Sequence, residues 1–210
     1  MTSRGHFITF EGTEGVGKST QLANAADTLK ALGVDYVVTR EPGGTPMAES
    51  IRELLLAPRE EPVNDMTELL LMFAARAQHL HTRILPELES GRWVLCDRFT
   101  DATFAYQGGG RGVPADRIEQ LENLVQGTFR PDHVVLLDAP VETGMTRARH
   151  RGELDRFEQE AVAFFERIRQ TYLNRAAADP ARYHIVDAAQ PLEAVSQDVI
   201  SLVRGLVNRP

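Results

Sequence analysis

The chemistry-bearing residues of this chain begin with an eight-residue run, Gly12-Thr13-Glu14-Gly15-Val16-Gly17-Lys18-Ser19, which satisfies G-x-x-x-x-G-K-[ST] at every fixed position. Gly12 and Gly17 allow backbone N–H groups to turn inward around phosphate oxygens, and the N-terminus of the following helix adds a favourable dipole. In that pattern Lys18 reaches the β- and γ-phosphates, and the Ser19 hydroxyl is suited to hold Mg²⁺. Context supports the motif. The apolar run His6 to Phe10 precedes it, and Gln21 to Leu32 follows with Leu22, Ala25, Leu29 and Leu32 at helical spacing. Strand, loop and helix in that order make a nucleoside-triphosphate site.

Further candidates stand at the ends of apolar runs. Tyr36 to Thr39 leads into Arg40-Glu41-Pro42-Gly43-Gly44, and Trp93 to Cys96 leads into Asp97-Arg98. In open α/β sheets ligands bind beyond the carboxyl ends of the strands, so Arg40, Glu41, Asp97 and Arg98 belong near the phosphate loop. Asp97 is suited to Mg²⁺ or its waters, and Arg98 to a phosphate. Arg76 interrupts the apolar stripe of a helix over Asp65 to Leu80, which carries Leu69, Met72, Phe73 and Leu80. A buried arginine requires a partner, either an acid within the core or a ligand. Asp101 to Gly112, DATFAYQGGGRG, follows the third strand and is a flexible linker or a recognition segment rich in polar and aromatic side chains. Arg147, Arg149, Arg151 and Arg156 converge around Gly152 between two helical patterns, as a solvated charge run or a mobile lid over phosphates. His79 and His81 read as residues of a solvated helix surface, and the lone Cys96 as a buried structural thiol.

The elements that must position these residues alternate in type. Met47 to Leu56 is helical and ends before Pro58; Arg117 to Val125 and Val141 to Ala148 are helical and flank the strand Val134 to Leu137; a helix over Phe157 to Ala177 precedes the strand Tyr183 to Asp187. Leu192, Val195, Val199, Leu202 and Leu206 stripe a last helix. Alternating strands and helices predict a parallel sheet covered by helices on both faces. At 210 residues the chain suits one domain over 1–210, with a small lid at about 147–158.

Composition narrows the function classes. A net charge of −7 argues against an extended basic face for long nucleic acid, whose affinity comes from neutralising many phosphates. No apolar run approaches the roughly 18 residues needed to span a bilayer, and the first residues lack a signal peptide's apolar region, so a cytoplasmic location is expected. With lysine only at 18 and 30, the guanine-reading Asn-Lys-x-Asp of a GTPase switch is absent. Phosphate recognition beyond the loop must rest on arginine, whose planar fork is suited to it.

Taken together, GTEGVGKS, TREPGGT at 39–45, DRF at 97–99, AYQGGGRG at 105–112, RARHRGELDRFE at 147–158 and DAAQPLE at 187–193 resemble bacterial thymidylate kinases of the type with lid arginines. The resemblance implies phosphoryl transfer from Mg-ATP to dTMP on a five-stranded parallel sheet of the P-loop nucleoside-monophosphate-kinase fold, usually in a homodimer. It implies that Gly12 to Thr20, with Thr13, Glu14, Gly15, Val16, Gly17, Lys18 and Ser19 between them, cradle the ATP phosphates, and that Arg147 supports the lid or borders adenine. Glu14 matches a loop acid that contacts the dTMP sugar, and Tyr106 a tyrosine packed against the deoxyribose. Arg98 matches the arginine that holds the acceptor phosphate, with Arg52 close by and Asp97 near Mg²⁺. Arg76, Thr103 and Gln107 match thymine contacts. The family's aromatic stacking position is occupied by Met72, with Phe73 one residue later, so either can pack on thymine. The loop's variable positions carry no arginine, which leaves Arg149 and Arg151 as candidates for meeting the charge of the transferred phosphoryl, with Arg98 and Arg156 in reserve.

Overall fold

The computed structural model describes residues 4–149, 156–157 and 160–208, and for Arg149 its backbone alone. Strands β1 (Phe7–Glu11), β2 (Tyr36–Arg40), β3 (Trp93–Asp97), β4 (His133–Asp138) and β5 (Tyr183–Asp187) form one sheet in the order β2-β3-β1-β4-β5. Every neighbouring pair is parallel. Each parallel step therefore needs a crossover, and helices supply it. These are α1 (Lys18–Ala31), α2 (Pro46–Leu56), α3 (Asp65–His79), α4 (Leu85–Glu89), α5 (Thr100–Thr103), α6 (Ala115–Gln126), α7 (Val141–Arg149), α8 (Val162–Ala178) and α9 (Leu192–Val207).

Alternation along the strands divides the core in two. Ile8, Phe10, Leu95, Val135 and Leu137 face α1 and α9, meeting Leu22, Ala25, Leu29, Val199 and Val203. Phe7, Val94 and Cys96 face Leu80, Ile84 and Leu88, while Val134 and Leu136 pack on Phe165, Ile168 and Tyr172 of α8. Strands buried on both faces read as continuous apolar runs, which is why β1, β3 and β4 were legible as short stretches without polar alternation. The register brings Arg40 and Phe10 level with Asp97, so the carboxyl ends of β2, β3 and β1 finish at one height beneath the site.

Several expected elements differ. The α-helix that begins at Asp65 ends at His79, one residue short of the expected Leu80, but the chain stays helical beyond it: a π-helical stretch, Leu80–Ile84, joins α3 to α4. Pro86, which has no N–H to donate, stands in the first turn of α4 directly after that stretch. The segment 101–112 is no linker, because α5 runs directly into a second π-helical stretch, Phe104–Gly110. Its glycines serve packing: a Cβ on Gly110 would lie 2.6 Å from the Phe164 ring, and one on Gly109 2.1 Å from Thr171 Oγ1, so only a bare backbone lets α8 approach this closely. Helix α8 starts at Val162 rather than Phe157, and Leu32, placed on the α1 stripe by its spacing, is 41% exposed just beyond the helix end.

Candidate active site

The loop after β1 is shaped by close approaches of backbone to backbone. Gly12, Gly15 and Gly17 all have positive φ, and a Cβ on Gly15 would fall 1.8 Å from the carbonyl oxygen of Gly144 on α7. Position 15 thus admits no side chain, which supplies a physical reason for the absence of a loop arginine there. Lys18 is buried and folds back over its own loop, donating to Thr13 O at 2.7 Å and Gly12 O at 3.3 Å. Burial, and next the Arg98 guanidinium, lower its ammonium to about 8.

A cavity of about 580 Å³ opens from this loop across the carboxyl ends of β1, β2 and β3. Glu14, Gly15, Gly17, Lys18, Ser19 and Thr20 line one end, and Met72, Arg76, Thr103 and Gln107 the other, with Arg40, Glu41, Arg52, Asp97, Arg98, Tyr106 and Arg147 along its walls. Residues from the phosphate loop, β2, α2, α3, β3, α5, the second π-helical stretch and α7 therefore share one space. Of the loop residues named from sequence, Gly12, Thr13 and Val16 lie outside the lining and are buried, Val16 in the α1–α9 core. Among the apolar lining residues, Leu56, Ala102 and Phe157 were not anticipated. Phe157 carries no polar signal and reads as the start of a helix.

Arg98 stands in the left-handed region at φ 66, the only described non-glycine residue with positive φ. Such strain persists only where surroundings fix it. Its Nη2 donates to Glu14 Oε1 at 2.6 Å, its Nη1 to Gly12 O at 2.8 Å and to Tyr172 Oη at 3.3 Å, and its guanidinium lies 4.7 Å from the Tyr106 ring centroid. Tyr106 Oη donates to the same Glu14 oxygen at 2.9 Å. Burial pushes the Tyr106 phenol well above its ordinary value, so it remains a neutral donor. Beneath this cluster Glu11, fully buried, accepts from Phe99 N at 2.7 Å and Tyr172 Oη at 2.8 Å.

The far end is held by buried acids. Arg76, 2% exposed, donates Nε to Glu41 Oε2 at 2.7 Å and Nη2 to Thr103 Oγ1 at 3.0 Å. The sequence alternatives for Arg76, an internal acid or a position facing a ligand site, both hold: it is ion-paired, and it lines the cavity. Thr103, Tyr106 and Gln107 share one face because they stand at i, i+3 and i+4 across the α5 to π-helical junction. Two buried polar atoms here lack a hydrogen-bond partner in the structure, the donor Arg76 Nη1 and the acceptor Gln107 Oε1. Unmatched buried groups are costly unless a ligand completes them. Asp97 Oδ1 is a third, and Asp97 and Ser19 both line the cavity. A carboxylate and a hydroxyl in one cavity suit Mg²⁺, which takes few protein ligands and completes its shell with phosphates and waters. Among the described residues no group of three or more His, Cys, Asp or Glu could hold a metal by itself.

Some side chains lie elsewhere than expected. His79 is fully buried instead of solvated: its Nδ1 is 3.0 Å from Glu41 Oε1 and its Nε2 2.6 Å from Thr39 Oγ1. It stands three residues after Arg76 on α3, so both face the same acid at the end of β2, and Glu41 is engaged by protein on both oxygens. Phe73 turns into a cluster with Leu69, Phe104 and Ile118, leaving Met72 at the cavity; its ring backs Arg76 with the guanidinium 4.9 Å from the centroid. Arg40 pairs with Glu49 at 2.9 Å while still lining the cavity. Arg147 donates to Ala188 O at 2.9 Å, tying α7 to the DAAQPLE segment. Arg156 is bonded to Glu68 Oε2 at 2.5 Å and to Leu55 O at 2.9 Å, committed to α3 and α2 and not to the phosphate loop. The side chain of Arg149, and Arg151 entirely, lie outside the described residues. Cys96 is buried and donates to Arg98 O at 3.0 Å; burial raises its thiol well above the ordinary value, as suits a structural residue.

Comparison with known proteins agrees with this geometry. A family model described as thymidylate kinase matches residues 10–199. The chain is similar to a thymidylate kinase of Pseudomonas entomophila strain L48, 60% identical over 205 residues that cover 98% of each chain. It is similar also to one from Pseudomonas putida strain W619, 59% identical over 203 residues, 97% of this chain and 98% of the relative. Among solved structures, that of a thymidylate kinase from Ehrlichia chaffeensis superposes with a TM-score of 0.76 at 33% identity, covering 95% of this chain and 99% of the other. A phosphate loop opening into a cavity with an unmatched donor and acceptor at its far end, on a sheet shared with these proteins, leads to one assignment: the chain belongs to the thymidylate kinase family.

Proposed function

We propose that the chain transfers the terminal phosphoryl group of ATP to the 5′-phosphate of dTMP, giving dTDP and ADP, a step in the supply of dTTP, with thymine at the Arg76–Gln107 end of the cavity and ATP phosphates on Gly12 to Thr20. The observation that carries this reading is the pairing of the unmatched donor Arg76 Nη1 with the unmatched acceptor Gln107 Oε1. A donor and an acceptor together match the O4 and N3–H edge of thymine or uracil. Thr103 steadies Arg76, Met72 packs on the base, and Tyr106 with Glu14 borders the deoxyribose. Arg98, Arg40 and Arg52 receive the acceptor phosphate, and Arg147 borders adenine.

Ser19 and Asp97 are the residues that would hold Mg²⁺. When bound it supplies charge neutralisation on the phosphate oxygens. Catalysis by the chain's own residues is positioning and electrostatics: Lys18 and Arg98 meet the dispersed charge of the transition state, and no general-base triad is required. With no side chain admissible at Gly15 and none basic at Thr13, Glu14 or Val16, the remaining charge is assigned to Arg149 and Arg151 of the 147–158 lid. Residues 1–210 act as one catalytic domain in the cytoplasm; no described helix is long and apolar enough to cross a membrane. A homodimer is supported by Leu70 on α3 and Leu124 on α6, apolar side chains 50% and 79% exposed on adjacent helices.

The test is a coupled ADP-release assay with dTMP, dUMP, dCMP and thymidine side by side. Turnover with dTMP far above dCMP and thymidine supports the assignment, and equal or greater turnover with dCMP or thymidine contradicts it.

A further inference from the structure

Glu68 stands in the first turn of α3, where an exposed acid would ordinarily do no more than favour the helix dipole. Here it is 0% exposed, does not line the cavity, and is ringed by three donors from two segments distant in sequence. Gln107 Nε2 donates to its Oε1 at 2.8 Å, Arg111 Nε approaches the same oxygen at 3.5 Å, and Arg156 Nη2 bonds its Oε2 at 2.5 Å. The two guanidiniums are themselves fixed. Arg111 Nη1 reaches Glu160 Oε1 at 2.5 Å, and Arg156 Nε donates to Leu55 O at 2.9 Å. Both lie over aromatic rings, Arg111 at 4.7 Å from the Phe164 centroid and Arg156 at 4.4 Å from that of Phe157.

This arrangement bears on which end of the Gln107 amide a ligand meets. A carboxylate between two guanidiniums can only accept hydrogen bonds, so the amide must turn its NH₂ toward Glu68. The carbonyl Oε1 is thereby left as the atom without a partner. Were the amide free to rotate, it would offer a donor as readily as an acceptor, and the pocket could not tell a pyrimidine N3–H from a bare N3. We propose that Glu68 is a positioning residue for base specificity: by locking the Gln107 amide it makes the pocket accept an N3–H and reject the inverted edge of a cytosine. Arg76, locked in the same manner by Glu41, supplies the complementary donor toward O4, where cytosine carries an amine. The proposal rests on the assignment of Gln107 to the thymine subsite.

The discriminating substrate pair is dTMP and 5-methyl-dCMP, which share the methyl group, sugar and phosphate and differ only along that edge. In Glu68→Gln the new amide can donate or accept, so Gln107 is released. The expected result is a ratio of kcat/KM for the two substrates that narrows about tenfold or more, through KM for the nucleotide, while KM for ATP changes by less than about twofold. In a Gln107→Leu background the same Glu68 substitution should leave the ratio unchanged. A merely structural role would lower kcat/KM for both substrates together, and an unchanged ratio in folded Glu68→Gln overturns the proposal. If that variant does not fold, NMR of the wild type decides. The side-chain amide signal missing from Gln107→Leu should have one proton shifted downfield by the carboxylate and should keep that position when dTMP is added; an ordinary shift, or reorientation on binding, overturns it. A wild-type enzyme without activity on dTMP would remove the thymine assignment itself, and the role of Glu68 with it.

Discussion

The two ends of the cavity are built from opposite materials. At the end proposed for the phosphates a contiguous loop supplies most of the groups, and the two cations there rest on mixed partners: Lys18 on loop carbonyls, and Arg98, from the end of β3, on Gly12 O, Tyr172 and a Glu14 shared with Tyr106. At the end proposed for the base nothing is contiguous. Arg76 and Gln107 come from separate helices and are fixed by Glu41 and Glu68, both almost wholly buried. Transferring a phosphoryl group needs charges that can follow the phosphates as they enter, whereas reading a base needs donors and acceptors that do not adapt. The phosphate end is therefore poised to rearrange, and the base end is built against rearrangement.

Breaking the base end should be the costliest change. Glu41→Ala leaves Arg76 buried without its acid and removes the partner of His79, a loss of about 3 to 5 kcal/mol. Calorimetry should show a fall in Tm of roughly 10 °C, given about 2 to 4 °C per kcal/mol for a chain of this size. At the phosphate end the equivalent change should spare the fold. Lys18→Ala removes a group that bonds only loop carbonyls, so Tm should hold while kcat drops about a hundredfold or more, corresponding to roughly 3 to 4 kcal/mol of lost charge stabilisation. Activity within about threefold of wild type would remove Lys18 from the mechanism.

A smaller effect sharpens the contrast between subsites. Gln107→Ala should raise KM for dTMP by about 5- to 100-fold, the equivalent of about 1 to 3 kcal/mol for an unpaired polar group, with KM for ATP unchanged. A change confined to ATP would mean that the two nucleotides occupy the reverse ends. A last effect concerns Glu11 beneath the Arg98 cluster and is read from a pH profile. Burial, and next the nearby Asp101 carboxylate, raise its carboxyl from 4.5 to about 8. Between those values the native protein keeps a proton that the unfolded chain has released. Stability from this group is thus full below pH 4.5 and is lost progressively as pH rises toward 8, on the order of a few kcal/mol at most. Glu11→Gln should flatten the fall in Tm across that window relative to wild type, and parallel curves would contradict it.

The same contrast explains what was legible in the sequence. The phosphate end was readable because its chemistry is local: a backbone turn needs glycines at fixed spacing, and Lys18 and Ser19 follow it. Asp97 and Arg98 were readable because strand ends in a parallel sheet converge. At the base end, Arg76 stood out as a charge within an apolar stripe, and Thr103, Tyr106 and Gln107 through the quoted family motif. Their supports did not. His79 looked like a surface residue because its partner Glu41 lies 38 positions earlier, and Glu68 carried no signal because the residues that donate to it lie 39 or more positions later. The choice between Met72 and Phe73 depends on α3's rotation against α6 and the second π-helical stretch, and a one-residue difference on a helix is about 100°. The glycines at 108–110 suggested flexibility, yet two of them record the approach of α8, a contact that short-range pattern cannot express.

The claim that one end yields while the other holds is tested most directly by a crystal structure of the wild-type protein with dTMP and a non-hydrolysable ATP analogue. The account predicts that Lys18 Nζ leaves Thr13 O for the phosphates and Arg98 loosens from Glu14. Arg76 Nε should stay bonded to Glu41 and Gln107 Nε2 to Glu68, at the present 2.7 and 2.8 Å. A complex in which Lys18 and Arg98 keep their present partners, or in which dTMP pulls Arg76 or Gln107 away from its acid, would contradict it.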